Sequence, residues 1–257
     1  MKNGKPNKVR NYFSSVATKY HNSYETETPL TIRLKKVIEM LGKHDIVRIK
    51  SFLDIGCGTG ELARRIYSVN KCKVNAVDLS KDMIKVAKSL TPRNFKIKFS
   101  TGNIEKLDFA DESFDTVTSV GVFEYLENDE NALKQIHRIL KDDGVVIIEL
   151  RNELFSLFSM NRHTINLFLK RAGLNELKIN DGYPFKRRAH NPFSFKRKAE
   201  KMGFKFKGMR FYHFHPLPPF FSSLGFYETL GRWMEKLDKT PLRYLLASAF
   251  LIKLRKQ

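Results

Sequence analysis

The chain has 257 residues, 42% of them hydrophobic and 12% aromatic, enough to bury a substantial core, which excludes a disordered basic protein. Lys and Arg number 47 against 27 Asp and Glu, and the excess is uneven: residues 151–257 hold 22 basic and 7 acidic side chains, residues 1–150 hold 25 and 20. Two cysteines, Cys57 and Cys72, exclude a disulfide framework and a four-cysteine zinc site, no apolar run approaches the ~20 residues of a membrane helix, and no secretory signal is evident, so a reduced, cytoplasmic protein without a metal is expected.

Residues 11–41 carry a helical pattern, with Leu30, Leu34, Val37, Ile38 and Leu41 on one stripe, behind a stretch bearing Tyr12, Phe13, Tyr20 and Tyr24. Short apolar runs then alternate with helical stretches. Strands are expected at 52–55, 74–77, 95–99, 114–120 and 145–150, and helices at 61–69, 80–90 and 129–140. Strand–helix alternation with short connections predicts a doubly wound α/β fold, a mostly parallel sheet with helices on both faces. Beyond Leu150 the pattern predicts a helix over 151–172, a basic segment over 186–201 and a strand over 204–214. A Pro-rich turn at 215–219, an aromatic helix over 221–237 and a last apolar run over 245–254 follow. The two late strands bring the sheet to seven. One domain results, divided into an N-terminal helical cap (1–45), a ligand-binding core (46–150) and a basic, aromatic-rich substrate region (151–257).

The most informative stretch is Leu53-Asp54-Ile55-Gly56-Cys57-Gly58-Thr59-Gly60-Glu61-Leu62, a strand entering a three-glycine turn that opens a helix. Such a turn lets a ligand approach the main chain at the carboxyl edge of a parallel sheet. The dinucleotide fingerprint would need glycine where Glu61 stands, and no Gly-Lys-Ser/Thr follows, so pyrophosphate and ATP loops are both excluded. Asp54, just ahead of the turn, suits a ligand with an amino-acid end. Asp78 ends the next strand about 20 residues on, where a carboxylate can accept both hydroxyl protons of a ribose; as a plain structural residue it would belong to the N-cap region of the helix near Ser80.

These residues are joined by Thr101-Gly102-Asn103-Ile104-Glu105-Lys106-Leu107, Asp111-Glu112-Ser113-Phe114-Asp115-Thr116-Val117 and Ile136-His137-Arg138-Ile139-Leu140-Lys141-Asp142-Asp143-Gly144. In this order they resemble the motifs of class I S-adenosylmethionine-dependent methyltransferases over roughly residues 10–150. The likeness is greatest to the small-molecule enzymes of the quinone-biosynthesis type, including the lead-in Val9 to Tyr20. The resemblance implies a Rossmann-like seven-stranded sheet whose last strand is antiparallel, with S-adenosyl-L-methionine bound in residues 46–150. It implies that Asp54 and the backbone of Gly56, Gly58 and Gly60 surround the methionine part, and that Asp78 holds the ribose. Leu79, Met83 and Ile104 would enclose the adenine, with the Ile104 amide beside Asn103 on the base edge. Val120-Gly121 would lie under the sulfonium arm, and Tyr20 would close over the methionine carboxylate. Asn103 departs from the Gly-Asp that many relatives carry at this place.

The acceptor is narrowed by what is missing. No Asp/Asn-Pro-Pro-Tyr segment follows the fourth strand, where Val120-Gly121-Val122-Phe123-Glu124 stands instead, and neither cysteine suits a pyrimidine-C5 nucleophile. An oxygen acceptor by in-line transfer is therefore expected, with a base among Glu124, His190, His213 and His215; loop charges and buried histidines are the plain structural alternatives. The aromatic stretch 212–233, with Phe220, Phe221 and Phe226, is either core or a lid over a small-molecule or lipid-linked acceptor. Clusters such as Lys186-Arg187-Arg188 and Lys196-Arg197-Lys198 suit an anionic membrane surface, a phosphorylated sugar or RNA. An RNA methyltransferase and a non-catalytic cofactor-binding scaffold are the competing functions.

Overall fold

The structure, a computed structural model, describes residues 4–24, 29–42, 46–155, 184–215 and 227–257. Seven strands form one sheet in the order β3-β2-β1-β4-β5-β7-β6. They are β1 Ser51–Ile55, β2 Lys73–Asp78, β3 Ile97–Thr101, β4 Phe114–Ser119, β5 Leu140–Arg151, β6 Phe204–Phe214 and β7 Ala247–Lys256. The first five pair in parallel. Strand β7 inserts between β5 and β6 and runs antiparallel to both.

The helices are α1 Lys5–Tyr20, α2 Pro29–Leu41, α3 Glu61–Asn70, α4 Lys81–Ser89, α5 Asp129–Ile139, α6 Pro192–Lys201, α7 Tyr227–Trp233 and the single turn α8 Arg243–Leu246. Successive side chains on a strand point to opposite faces, so neighbours divide between two cores. Leu53, Val146 and Ile252 join Leu133, Ile136 and Phe211 on one face, while Phe52, Ile147 and Leu251 join Val37, Ile66 and Ala87 on the other. Because both faces are covered, the central strands are buried nearly throughout, all five residues of β1 and five of the six of β4, polar ones included.

The expected single helical stretch over 11–41 is two helices. Residues His21–Tyr24 form a 3-10 turn after α1, and Pro29 opens α2, since its ring cannot continue a preceding helix but fits a first helical turn. The two helices do different work. In α2, Leu34, Val37 and Leu41 are core residues of the sheet face, whereas α1 lies across the sheet edge against α4, joined by a Ser14–Ser80 hydroxyl contact of 2.9 Å. The expected helix over 151–172 lies outside the described residues except at 151–155, and Arg151 itself ends β5. Of the segment 215–237, residues 216–226, with Phe220, Phe221 and Phe226, also lie outside them. Its later part is α7 followed by a 3-10 turn, Met234–Lys239.

Candidate functional site

A cleft of about 870 Å³ opens at the carboxyl ends of the parallel strands, between α1 and α2. Its size is near the upper end of the ~300–1,000 Å³ usual for ligand sites. It has two chemically distinct ends.

The first end is built around the glycine turn. Gly56, Gly58 and Gly60 all have positive φ, at 73°, 53° and 81°, a region that side chains with a Cβ rarely enter. A Cβ on Gly56 would stand 2.2 Å from Val122 Cγ2, so the turn passes hard against the loop after β4. Gly58 faces Tyr20 of α1 across the cleft, with the ring 3.6 Å from a Cβ placed there. Gly60 does not line the cleft. It is the N-cap of α3, and a Cβ on it would meet Phe99 at 2.8 Å, so its expected contact with a ligand is replaced by close packing of α3 on the sheet.

Asp78 bridges the turn and the next helix. Its Oδ2 accepts from the Gly58 N–H and its Oδ1 from the Ser80 N–H, both at 2.8 Å, while the Ser80 hydroxyl caps α4 by accepting from the Met83 N–H at 3.1 Å. Burial pushes the Asp78 carboxyl up, and these backbone bonds offset it. A carboxylate has about four acceptor sites, so capacity remains for a hydroxyl donor in the cleft. Asp54 is buried beneath the turn; the Thr118 hydroxyl donates to its Oδ1 at 2.8 Å. Burial, aided by the neighbouring Asp78 and opposed by that bond, raises its pKa to about 7. Leu79, Met83, Asn103, Ile104 and Val120 complete this end. Asn103 Oδ1 accepts from the Glu105 N–H at 3.0 Å, an acceptor role that an aspartate would fill equally.

The second end is formed by side chains from separate segments. Glu124 lies in a 3-10 turn after β4, and its Oε2 stands 3.5 Å from Arg187 Nη1 and 3.8 Å from Arg151 Nε. Burial and the nearby Glu149 push its carboxyl up against the pull of both guanidiniums. Glu149 pairs with Arg33 of α2 at 3.2 Å and accepts from the Tyr212 hydroxyl. Gly121, with φ 71°, leaves room for that pair, since a Cβ there would meet Arg33 Nη1 at 3.0 Å.

His213 and His215 line this end, with ring centroids 4.6 Å apart. His213 sits at φ 57° with Nδ1 2.9 Å from the Ser248 hydroxyl. Burial, followed by the His213 charge, lowers the pKa of His215 to about 3, so it is neutral and only weakly basic at neutral pH. His190 does not line the cleft. It is buried on the far side of the 184–190 segment with Nε2 3.3 Å from Asp129 Oδ1, where Arg188 and Lys198 also reach Asp129 at 2.8 and 3.1 Å. Its expected place among the bases gives way to a clasp that ties this segment to the first turn of α5.

Arg33 and Glu149 line the cleft without having been singled out in the sequence, and Arg187 was noted only as part of the basic cluster Lys186-Arg187-Arg188. Glu149 did carry a signal, a carboxylate inside the apolar run Val145-Val146-Ile147-Ile148-Glu149-Leu150, which is costly unless paired.

A family profile described as a methyltransferase domain matches residues 53–148. The malonyl-[acyl-carrier protein] O-methyltransferase of Halalkalibacterium halodurans is 26% identical over 178 residues, 66% of each chain. The demethylmenaquinone methyltransferase of Chlorobaculum parvum is 35% identical over 101 residues, 39% of this chain and 41% of that protein. The chain thus spans two fifths to about two thirds of the length of these curated relatives. Among solved structures, magnesium protoporphyrin IX methyltransferase from Synechocystis, with bound SAH, superposes at a TM-score of 0.63 with 14% identity, covering 99% of this chain and 100% of that one. The putative methyltransferase in complex with the Trm112 activator of Haloferax volcanii gives 0.62 with 17% identity, covering 95% and 97%.

Proposed function

We propose that the chain is a class I S-adenosylmethionine-dependent methyltransferase that transfers a methyl group from S-adenosyl-L-methionine to an oxygen of a small, polar acceptor; the methyltransferase-domain match over residues 53–148 and the curated relatives support this reading. The observation that carries this is the single cleft that joins the Asp54–glycine turn–Asp78 end to an end lined by Glu124, Glu149, Tyr212 and His213.

The residues at the first end fit the cofactor. Asp78 keeps acceptor capacity for ribose hydroxyls, and the glycine turn brings main chain to the cleft wall opposite Tyr20. Asp54, below the turn, would meet an α-ammonium, which favours its ionised form. Leu79, Met83 and Ile104 give an adenine an apolar slot. Bound there, the cofactor supplies a methyl group already activated by its sulfonium. What remains for the protein is alignment of the acceptor oxygen and, for a hydroxyl, removal of its proton. Glu124 is the side chain suited to that: it faces the cleft with 12% of its side chain exposed, and partial burial and Glu149 raise its basicity. His215 is too weak a base to compete.

The charged lining of the acceptor end favours a polar acceptor over a lipid-linked one, and among the described residues no helix is long and apolar enough to cross a membrane. The test is incubation of the protein with methyl-labelled cofactor and a cell extract separated into small-molecule, RNA and lipid fractions. Label in the small-molecule fraction is expected. Label confined to RNA or lipid overturns the acceptor class, and cofactor binding with no transfer to any fraction supports a scaffold instead.

A further inference from the structure

The two carboxylates at the acceptor end are held in different ways. Glu149 is firmly committed, with Arg33 at 3.2 Å on one oxygen and the Tyr212 hydroxyl on the other. Glu124 is held loosely: Arg187 and Arg151 approach the same oxygen, Oε2, at 3.5 and 3.8 Å, against the ~2.7–2.9 Å of a charge-assisted hydrogen bond. The backbones that carry both guanidiniums are fixed at the cleft. Arg151 ends β5 in register with Ala249 of β7. Arg187 precedes Arg188, whose N–H donates to the Glu124 carbonyl at 2.8 Å and whose side chain is anchored on Asp129. Two guanidiniums that both reach Glu124 Oε2 in one cleft supply the donor set that a planar or tetrahedral oxyanion uses.

We infer that Arg151 and Arg187 bind an anionic group of the acceptor, a carboxylate or a phosphate, and that Glu124 is the counter-ion which this group displaces. The inference rests on the methyl-transfer reading and names its acceptor class, a hydroxyl-bearing acid. It also links binding to chemistry. Once the acceptor's anion takes the two guanidiniums, Glu124 keeps its burial, its neighbour Glu149 and its contact with Tyr125 but loses its cations. Its proton affinity therefore rises where the hydroxyl must be deprotonated. As the acceptor oxygen bonds to the methyl carbon, the methyl–sulfur bond breaks and its electron pair stays on sulfur. The hydroxyl proton passes to Glu124, which returns it to water when the product leaves and the guanidiniums close on the carboxylate again.

The test has a product arm and a binding arm. Labelled product from the extract experiment is passed over a strong anion exchanger at neutral pH, before and after phosphatase. Retention is expected; loss of retention after phosphatase identifies a phosphate and persistence a carboxylate. A neutral labelled product overturns the inference while leaving methyl transfer intact, whereas absence of any transfer removes both. In the binding arm, inorganic phosphate and 4-hydroxybenzoate are titrated into protein saturated with S-adenosylhomocysteine. At least one probe is expected to bind, and Arg151→Gln and Arg187→Gln should each weaken it about tenfold with S-adenosylhomocysteine affinity unchanged. Probe binding that is absent from the wild type, or equal in wild type and variants, overturns the anionic site.

Discussion

The two ends of the cleft are built on opposite plans. The end proposed for the cofactor is made largely of backbone: three residues with positive φ in one five-residue turn, and a carboxylate held by the N–H groups of Gly58 and Ser80. Its geometry is set by local sequence and by the ends of β1 and β2. The acceptor end is made of side chains that arrive from α2, the loop after β4, β5, the 184–190 segment, β6 and β7. A backbone-built site varies little when its surroundings change, whereas a site assembled from side chains can be altered one residue at a time. One sheet can thus keep a constant cofactor end and carry many acceptors.

The largest expected effect on this contrast is at Glu124. Glu124→Gln should slow methyl transfer ~10²–10⁴-fold, the usual worth of a positioned base, with calorimetric cofactor affinity unchanged; transfer within a few-fold of wild type would move the base elsewhere. Next comes the clasp that holds the acceptor end together. Burial pushes the Asp129 carboxyl up, but His190, Arg188 and Lys198 outweigh it and hold it well below the usual range. The stability it contributes is therefore complete above pH ~4 and is lost only as acid passes below that value. Asp129→Ala should cost about 3 kcal/mol at neutral pH, the lower end for removing one partner of a buried pair, because Arg188 and Lys198 keep access to water. A thermal melt measures it, and an unchanged melting temperature would show that the clasp is dispensable.

At the other end, Asp78→Ala should weaken cofactor binding at least ~tenfold, from the loss of charge-assisted hydrogen bonds worth ~1.5–3 kcal/mol each. Because the Gly58 and Ser80 N–H groups lose their acceptor too, Asp78→Asn, which keeps one oxygen, should fall between the variant and the wild type. Equal affinities in all three proteins would remove Asp78 from the site. The smallest effect is a pH dependence. With its pKa near 7, Asp54 is mostly protonated at pH 6 and mostly ionised at pH 8, so binding of a ligand ammonium should tighten about tenfold between them. Asp54→Asn should flatten that slope.

How much of each end could be read from the sequence follows from the same contrast. Asp54, Gly56, Gly58 and Asp78 sit within one strand–turn–helix–strand unit, so spacing along the chain corresponds to spacing in the molecule, and their gathering at one end of the cleft was legible. Even there Gly60 misled, because a glycine needed for its φ and for Phe99 carries the same letter as one facing a ligand. The alternation of strands and helices gave the sheet, and the late run at 204–214 is β6, Phe204–Phe214. The acceptor end was largely illegible. Arg33 and Glu149 are 116 residues apart, and Glu124 and Arg187 63 apart, and no local pattern announces such pairs. His190 was misplaced for the same reason, since only the folded chain brings it to Asp129.

The insertion of β7 between β5 and β6 sets an order of events for a nascent chain. Strand β6 finds no partner strand in the sheet until β7, 33 residues beyond the end of β6, has left the ribosome and paired with β5. The five parallel strands can associate from N-terminal sequence already synthesised, so the methyl-donor end of the cleft can assemble during translation. Tyr212, His213, Ser248 and Ala249 reach their places only with that late, non-local pairing. On the proposed function, the protein therefore acquires its capacity to hold a methyl donor before its capacity to choose a recipient.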